Sequence, residues 1–275
     1  MNEFLHVMLW PFLACIILTG IHAYLGIHVL ERQVIFVDLA LAQIAALGAS
    51  LALILGFGMD SALSYGISLG FTLIGAIVFS LTRFKKQDVP QEAIIGIVYA
   101  VSAAALVVIL SRSGEGDEHI REALVGNILL IHPKEIIKIF LIYFAVGLFH
   151  FIFRKKFYLI SQNHEEAYRA GLNVRLWDFL FYATFGLVVT SSVKIAGVLL
   201  VFSFLIVPSV CAVLFSRRMN VRLVLGWLVG LAGSALGMAF SYFFDFPTGA
   251  SVVCSLGLIL VIFSIIRLAF TYKVN

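Results

Sequence analysis

VIFVDLALAQIAALGASLALILG, from Val34 to Gly56, holds a single charged residue, Asp38, in 23 positions. A helix needs roughly 20 apolar residues to cross the hydrocarbon layer of a bilayer. Backbone at that depth has no water to bond to, so a lone segment of this kind crosses as a helix. The pattern recurs outward along the chain, near 8–30, 63–82, 92–111, 134–153, 176–193, 195–216, 222–243 and 249–270. The last two segments before residue 217 are separated only by Ser191-Ser192-Val193-Lys194, a tight turn or a kink. The expected fold is therefore an all-α membrane protein, a polytopic bundle of eight or nine transmembrane helices.

Composition agrees. Of 275 residues, 62% are hydrophobic and 12% charged, about half the charge of a soluble domain. Apolar segments and short loops use up the length, so residues 1–275 read as one transmembrane domain. Cys15, Cys211 and Cys254 lie within apolar runs without disulfide or metal-ligand spacing and read as small buried hydrophobes. The N-terminus lacks the basic stretch of a signal peptide, so the first apolar run is expected to be kept as a helix.

Charge sets orientation. Arg83, Lys85 and Lys86, then Arg154, Lys155 and Lys156, then Arg217, Arg218 and Arg222, and last Lys273 all fall on one side of a nine-segment chain. The positive-inside rule makes that side cytoplasmic. The net charge of +4 thus speaks for orientation in lipid rather than for a nucleic-acid partner. The opposite face receives the acidic stretch with Glu115, Asp117, Glu118, His119 and Glu122. It suits cation attraction or docking of a binding protein, and also suits a merely solvated loop.

Between Arg154 and Asp178 runs the longest polar stretch on the cytoplasmic side. Asn163 is placed to cap a short helix whose first turn carries Glu165 and Glu166, an arrangement the helix dipole favours. Lipid cannot anchor so polar a helix, so it is mobile or has a protein partner.

Ionisable side chains inside apolar segments are functional candidates by default. A hairpin of the first two helices turning near Arg32–Gln33 would pair His28 with Asp38 and His22 with Gln43. Each pair offers a nitrogen and an oxygen, suited to Zn²⁺, Mn²⁺ or Fe²⁺. Each histidine has a second reading, a half-buried imidazole bonded to a backbone carbonyl. Glycines four apart, Gly66 and Gly70, Gly226 and Gly230, Gly233 and Gly237, suit either close packing within the chain or a dimer interface.

Several stretches, in order, resemble the permease family of zinc, manganese and iron ABC importers. They are Gly26-Ile27-His28-Val29-Leu30-Glu31-Arg32, Leu41 to Gly48, Glu92-Ala93-Ile94-Ile95-Gly96 and Leu124-Val125-Gly126-Asn127-Ile128-Leu129. Farther on come His164-Glu165-Glu166-Ala167 with Gly171, Gly197 to Val201 followed by Leu205-Ile206-Val207-Pro208, and Asp245 to Ala250. The resemblance implies a homodimeric channel in the bacterial plasma membrane, driven by separate ABC ATPase subunits and fed by an extracytoplasmic metal-binding protein. It implies that His164, Glu165, Glu166, Ala167 and Gly171, within a segment of about 157–175, dock on the ATPase. No Gly-x-x-x-x-Gly-Lys-Ser/Thr phosphate loop is present, so the chain is expected to hold no ATP of its own and to be no enzyme. No cofactor is expected, the metal ion being cargo. Members of that family place an Asp and a His four residues apart in the second helix. Anchored on Gly48, this chain has Leu39 and Gln43 there, with Asp38 one residue early. A permease for metal chelates, of the cobalamin or siderophore class, and an ATP-independent carrier are the competing expectations.

Overall fold

The computed structural model describes residues 2–58, 61–83, 89–111 and 125–272. Among them are ten α-helices, one 3-10 turn and no strand. The helices are α1 (Asn2–Glu31), α2 (Val37–Ile54), α3 (Ala62–Leu81), α4 (Gln91–Leu110), α5 (Pro133–Ile152), α6 (Arg154–Gln162), α7 (His164–Arg169), α8 (Val174–Phe215), α9 (Met219–Phe244) and α10 (Thr248–Tyr272). The 3-10 turn is Ile128–Leu130. All but α6 and α7 are long and apolar enough to cross a membrane, eight candidate spans in the described residues.

Hydroxyl side chains inside these helices are satisfied by the carbonyl one turn back, which removes the cost of placing them in lipid. Thr72 donates to Ser68 O at 2.9 Å, and Ser234 to Gly230 O at 2.7 Å. The same habit moves a boundary. Ser191 bonds Leu187 O at 2.9 Å and Ser192 bonds Val188 O at 2.6 Å, so the helix runs through Ser191–Lys194 instead of turning there. The interruption comes at Gly197, whose φ of 73° and ψ of 161° lie outside the helical region. The two apolar segments of the sequence are thus the two helical stretches of α8, parted at Gly197 and not at Ser191–Lys194.

The chain divides into two compact units. One comprises Met1–Leu30, Leu124–Tyr143 and Ile195–Asn275. Its helices approach closely through small residues. A side chain at Gly230 would strike Thr19, one at Gly233 would strike Leu256, and one at Gly237 would strike the Val252 backbone. The α9 glycines therefore pack helices within one chain. Ser209 donates to Ala23 O at 3.2 Å, fastening α1 to the later part of α8. Cys15 and Cys211 are buried as expected, whereas Cys254 is exposed.

The other unit comprises Glu31–Ala123 and Phe144–Lys194. Ser68 donates to Ala45 O at 2.7 Å between α3 and α2. Thr72 and Thr190 share a hydrogen bond of 3.0 Å between α3 and α8. Glu92 Oε1 accepts the Phe36 N–H at 2.9 Å and so caps α2 from the start of α4. Gly66 and Gly70 have open space where a Cβ would stand, unlike the α9 glycines.

Candidate functional site

The polar segment between α5 and α8 folds as the sequence suggests. Asn163, at φ −144° and ψ 89°, leaves the helical region between α6 and α7. Its Oδ1 accepts the Glu166 N–H at 3.0 Å, and its Nδ2 donates to Glu166 Oε2 at 3.2 Å. This reciprocal cap satisfies one of the first-turn amides that a helix leaves open, in the manner of a capping box. Glu165 and Glu166 lie in the first turn of α7, where the dipole favours them.

At the other end Gly171 takes φ 74°, and the Leu172 N–H reaches Ala167 O at 3.1 Å, closing α7 with a left-handed turn. Asn173 Oδ1 then accepts the Leu176 N–H at 3.2 Å and starts α8. Ala167 is the buried residue of α7, while the Glu165 and Arg169 side chains are 73% and 82% exposed and form a 3.7 Å surface pair.

Under this segment lies a group of charges from the margins of the apolar runs, Arg32, Arg83 and Asp178. Asp178 is 1% exposed. Its Oδ1 accepts from Arg32 Nη1 at 2.5 Å and from Arg83 Nη1 at 3.0 Å. Arg32 also donates through Nε to Ser161 Oγ at 2.9 Å and lies 3.9 Å over the Phe181 ring. His164 Nε2 stands 3.9 Å from the second carboxylate oxygen, Oδ2. The turn after α1, the end of α3, the end of α6, the start of α7 and the start of α8 thus meet at one carboxylate. A signal was present: Asp178 sits only a few residues into a long apolar helix, and ionisable groups there are costly unless paired.

Burial, and next the Arg83 charge, lower the His164 pKa to about 4, with Asp178 opposing. The imidazole is neutral at physiological pH. Two guanidinium groups then face one carboxylate, and the cluster carries a net charge of +1.

The ion-ligand candidates fall into two pairs. His22 and His28 belong to the first unit, and Asp38 and Gln43 to the second. His22 is fully buried, its Nδ1 is 2.8 Å from Leu18 O, and its ring stands edge-on to Tyr143 with centroids 6.2 Å apart. The backbone bond engages Nδ1, as the second reading of this histidine expects. His28 is 3% exposed beside the Tyr24 ring at 4.7 Å. Asp38 is 2% exposed in the first turn of α2, its Oδ1 without a hydrogen-bond partner, and Gln43 is half-buried. Among the described residues, no three His, Cys, Asp or Glu side chains stand together as a ready ion site. The turn expected near Arg32–Gln33 is present between α1 and α2. Glu115, Asp117, Glu118, His119 and Glu122 lie outside the described residues.

The Leu124–Leu129 stretch takes its meaning from the break in α8. From Val125 onward it is described. Asn127 N–H donates to Ile195 O at 3.2 Å, and Gly126, at φ 64°, lies so close that a side chain would strike the Ala196 and Gly197 backbone. Val125 O also lies 3.2 Å from where a side chain on Gly249 would stand. Three of the recognised stretches therefore meet in one backbone junction.

A manganese transport system membrane protein, MntC, from Listeria innocua is 28% identical over 199 residues, 70% of each chain. A chelated iron transport system membrane protein, YfeD, from Yersinia pestis is 29% identical over 212 residues, 73% of this chain and 71% of that one. In fold, the chain is similar to a chain of PsaBC from Streptococcus pneumoniae in complex with Fab, with a TM-score of 0.79 and 20% identity. That likeness covers 95% of this chain and 94% of the other. The sequence profile described as the ABC 3 transport family matches residues 4–267, nearly end to end, and the chain belongs to that family.

Proposed function

We propose that this chain is the membrane-spanning permease subunit of an ATP-driven importer of divalent metal ions, with zinc, manganese or iron as cargo. The observation that carries the reading is the family match over residues 4–267, together with relatives named for manganese and chelated-iron transport. Two copies form the translocation pathway in the bacterial plasma membrane. A separate ABC ATPase hydrolyses ATP, and this chain is the non-catalytic gate. An extracytoplasmic metal-binding protein delivers the ion, received through Glu115, Asp117, Glu118 and His119.

The ATPase docks on α7 and its flanks, through His164, Glu165, Glu166, Ala167 and Gly171. Support comes from the polar, doubly capped and outward-facing character of α7, which gives it no use in lipid. Its side of the membrane follows from the charge pattern: Arg83 leads a basic cluster, and Arg83 meets α7's neighbour Asp178. His22, His28, Asp38 and Gln43 are the proposed ion ligands along the path. A chelate as cargo is the second reading, favoured by the chelated-iron name of the Yersinia pestis relative.

The test is ATP-dependent uptake into proteoliposomes holding the chain, its ATPase and its binding protein. Uptake of free manganese, iron or zinc ions that chelated metal does not outcompete is the expected result. Uptake of the chelate alone would replace the first reading with the second. Uptake with neither, or without ATP, would overturn both.

A further inference from the structure

The Asp178 cluster is incompletely paired. Oδ1 takes both arginines, while Asp178 Oδ2, Arg83 Nε and His164 Nε2 are buried without a hydrogen-bond partner, and Arg32 also faces the buried Tyr182 hydroxyl. Buried polar atoms are nearly always satisfied, so three such atoms around one carboxylate call for an explanation. The 3.9 Å gap between Asp178 Oδ2 and His164 Nε2 is too long for a hydrogen bond. An inward movement of α7 by about 1 Å would bring the two into range, with the neutral imidazole carrying its proton on Nε2.

His164 is the first residue of α7, and Ser161, which Arg32 holds, is the last but one of α6. These two contacts straddle Asn163, the cap of α7. Beyond them α7 is anchored by buried Ala167 and is otherwise turned outward. Pressure on its outer face is therefore delivered to the cluster, and through Arg32 and Arg83 to the turn after α1 and the end of α3. A buried ion pair stabilises little more than an apolar contact of the same volume; its clearer use is to hold one arrangement against another.

We propose that Asp178 is the positioning residue of energy coupling in this chain. Its carboxylate passes from the arrangement seen here, with Oδ2 unpaired, to one in which Oδ2 takes the His164 N–H as α7 is pressed inward. In that step the arginines, and the helix ends they carry, are re-seated. The inference rests on the reading of α7 as the ATPase-docking helix.

The experiment uses the full chain co-expressed with its ATPase, purified and reconstituted with the binding protein. It measures ATPase capture, ATP hydrolysis and metal-ion uptake for wild type, Asp178→Asn, His164→Phe, which has no donor, and the double variant. The expected result is uptake per ATP hydrolysed down at least tenfold in each single variant, whatever fraction of the ATPase each captures. The double variant should be no worse than the singles, because both remove the same bond. His164→Phe leaves both arginine pairs intact and serves where Asp178→Asn fails to fold. Should wild type capture no ATPase, the docking reading and this inference fall together. Capture with a wild-type uptake-to-hydrolysis ratio in His164→Phe, or losses that add in the double variant, overturns the inference alone.

Discussion

Arg32 Nη1 donates to Asp178 Oδ1 at 2.5 Å, joining two residues 146 positions apart with both side chains almost wholly shielded from solvent. Because Arg83 shares the same oxygen, the three charged groups are not equivalent. Removing Arg32 leaves a neutral Arg83–Asp178 pair. Removing Asp178 leaves two buried guanidinium groups with no counter-charge. Asp178→Asn is expected to cost about 3–5 kcal/mol. Arg32→Gln should cost about 1–3 kcal/mol, the penalty of unpaired hydrogen-bonding groups. Thermal unfolding of the purified chain in detergent checks the order, and equal losses in the two variants would contradict the charge argument.

His164 gives this region a pH dependence of definite sign. Its pKa falls from an ordinary 6.5 to about 4 on folding, chiefly through burial and then through Arg83. The unfolded chain therefore binds the extra proton first. The neutral-imidazole contribution is complete above pH 6.5 and is lost as the pH falls from there to about 4. The unfolding midpoint of wild type should decline over that interval more than that of His164→Gln. Parallel curves for the two proteins would show that another group governs the decline.

Much of this architecture is legible in the sequence because lipid imposes a simple rule, and runs such as Val34–Gly56 obey it. The Asn163 cap is legible too, being set by residues three apart. The break in α8 is not. Ser191 and Ser192 look like turn residues, but in an apolar helix their hydroxyls bond the preceding turn, and only Gly197 takes the conformation that ends it. The Asp178 cluster is hidden for a different reason: residues 32, 83, 161, 164 and 178 come together only in the fold. Paired charges of this kind leave no periodic trace, only an acid and a base at the margins of apolar runs.

The junction at Gly126 tests the packing. Gly56 and Gly126 both have positive φ, 86° and 64°, but a Cβ at Gly56 meets open space, whereas one at Gly126 meets the Ala196 and Gly197 backbone. Gly56→Ala should cost about 1 kcal/mol of backbone strain. Gly126→Ala adds the cost of forcing backbones apart and should lose about 3 kcal/mol in all. Thermal midpoints of the two variants measure the difference, and a Gly126→Ala midpoint no lower than that of Gly56→Ala would mean that the junction yields without cost.

The cap on α7 separates docking from folding. Asn163→Ala removes the acceptor for the Glu166 N–H and should cost α7 about 1 kcal/mol, with little effect on the membrane helices. Asn163→Asp keeps an acceptor at the same place and should restore it. Hydrogen exchange at residues 165–167 is the measurement: faster exchange in Asn163→Ala, with the wild-type rate in Asn163→Asp. Unchanged exchange in Asn163→Ala would mean that α7 is held by its packing at Ala167 instead.

The ion path is tested best at His22, whose environment makes two roles separable. Its Nδ1 is held by Leu18 O, and its ring packs against Tyr143. If the ring serves packing alone, His22→Phe preserves volume and the edge-on contact, and transport should survive. If the ring supplies a ligand nitrogen, His22→Phe removes it, and manganese uptake should fall at least tenfold while the ATPase still co-purifies. The Gln43 position makes the second outcome the expected one. An amide oxygen is a weaker ligand for these ions than imidazole nitrogen, so the proposed ligand set depends on its histidines for nitrogen. Full manganese uptake in His22→Phe would remove His22 from the path.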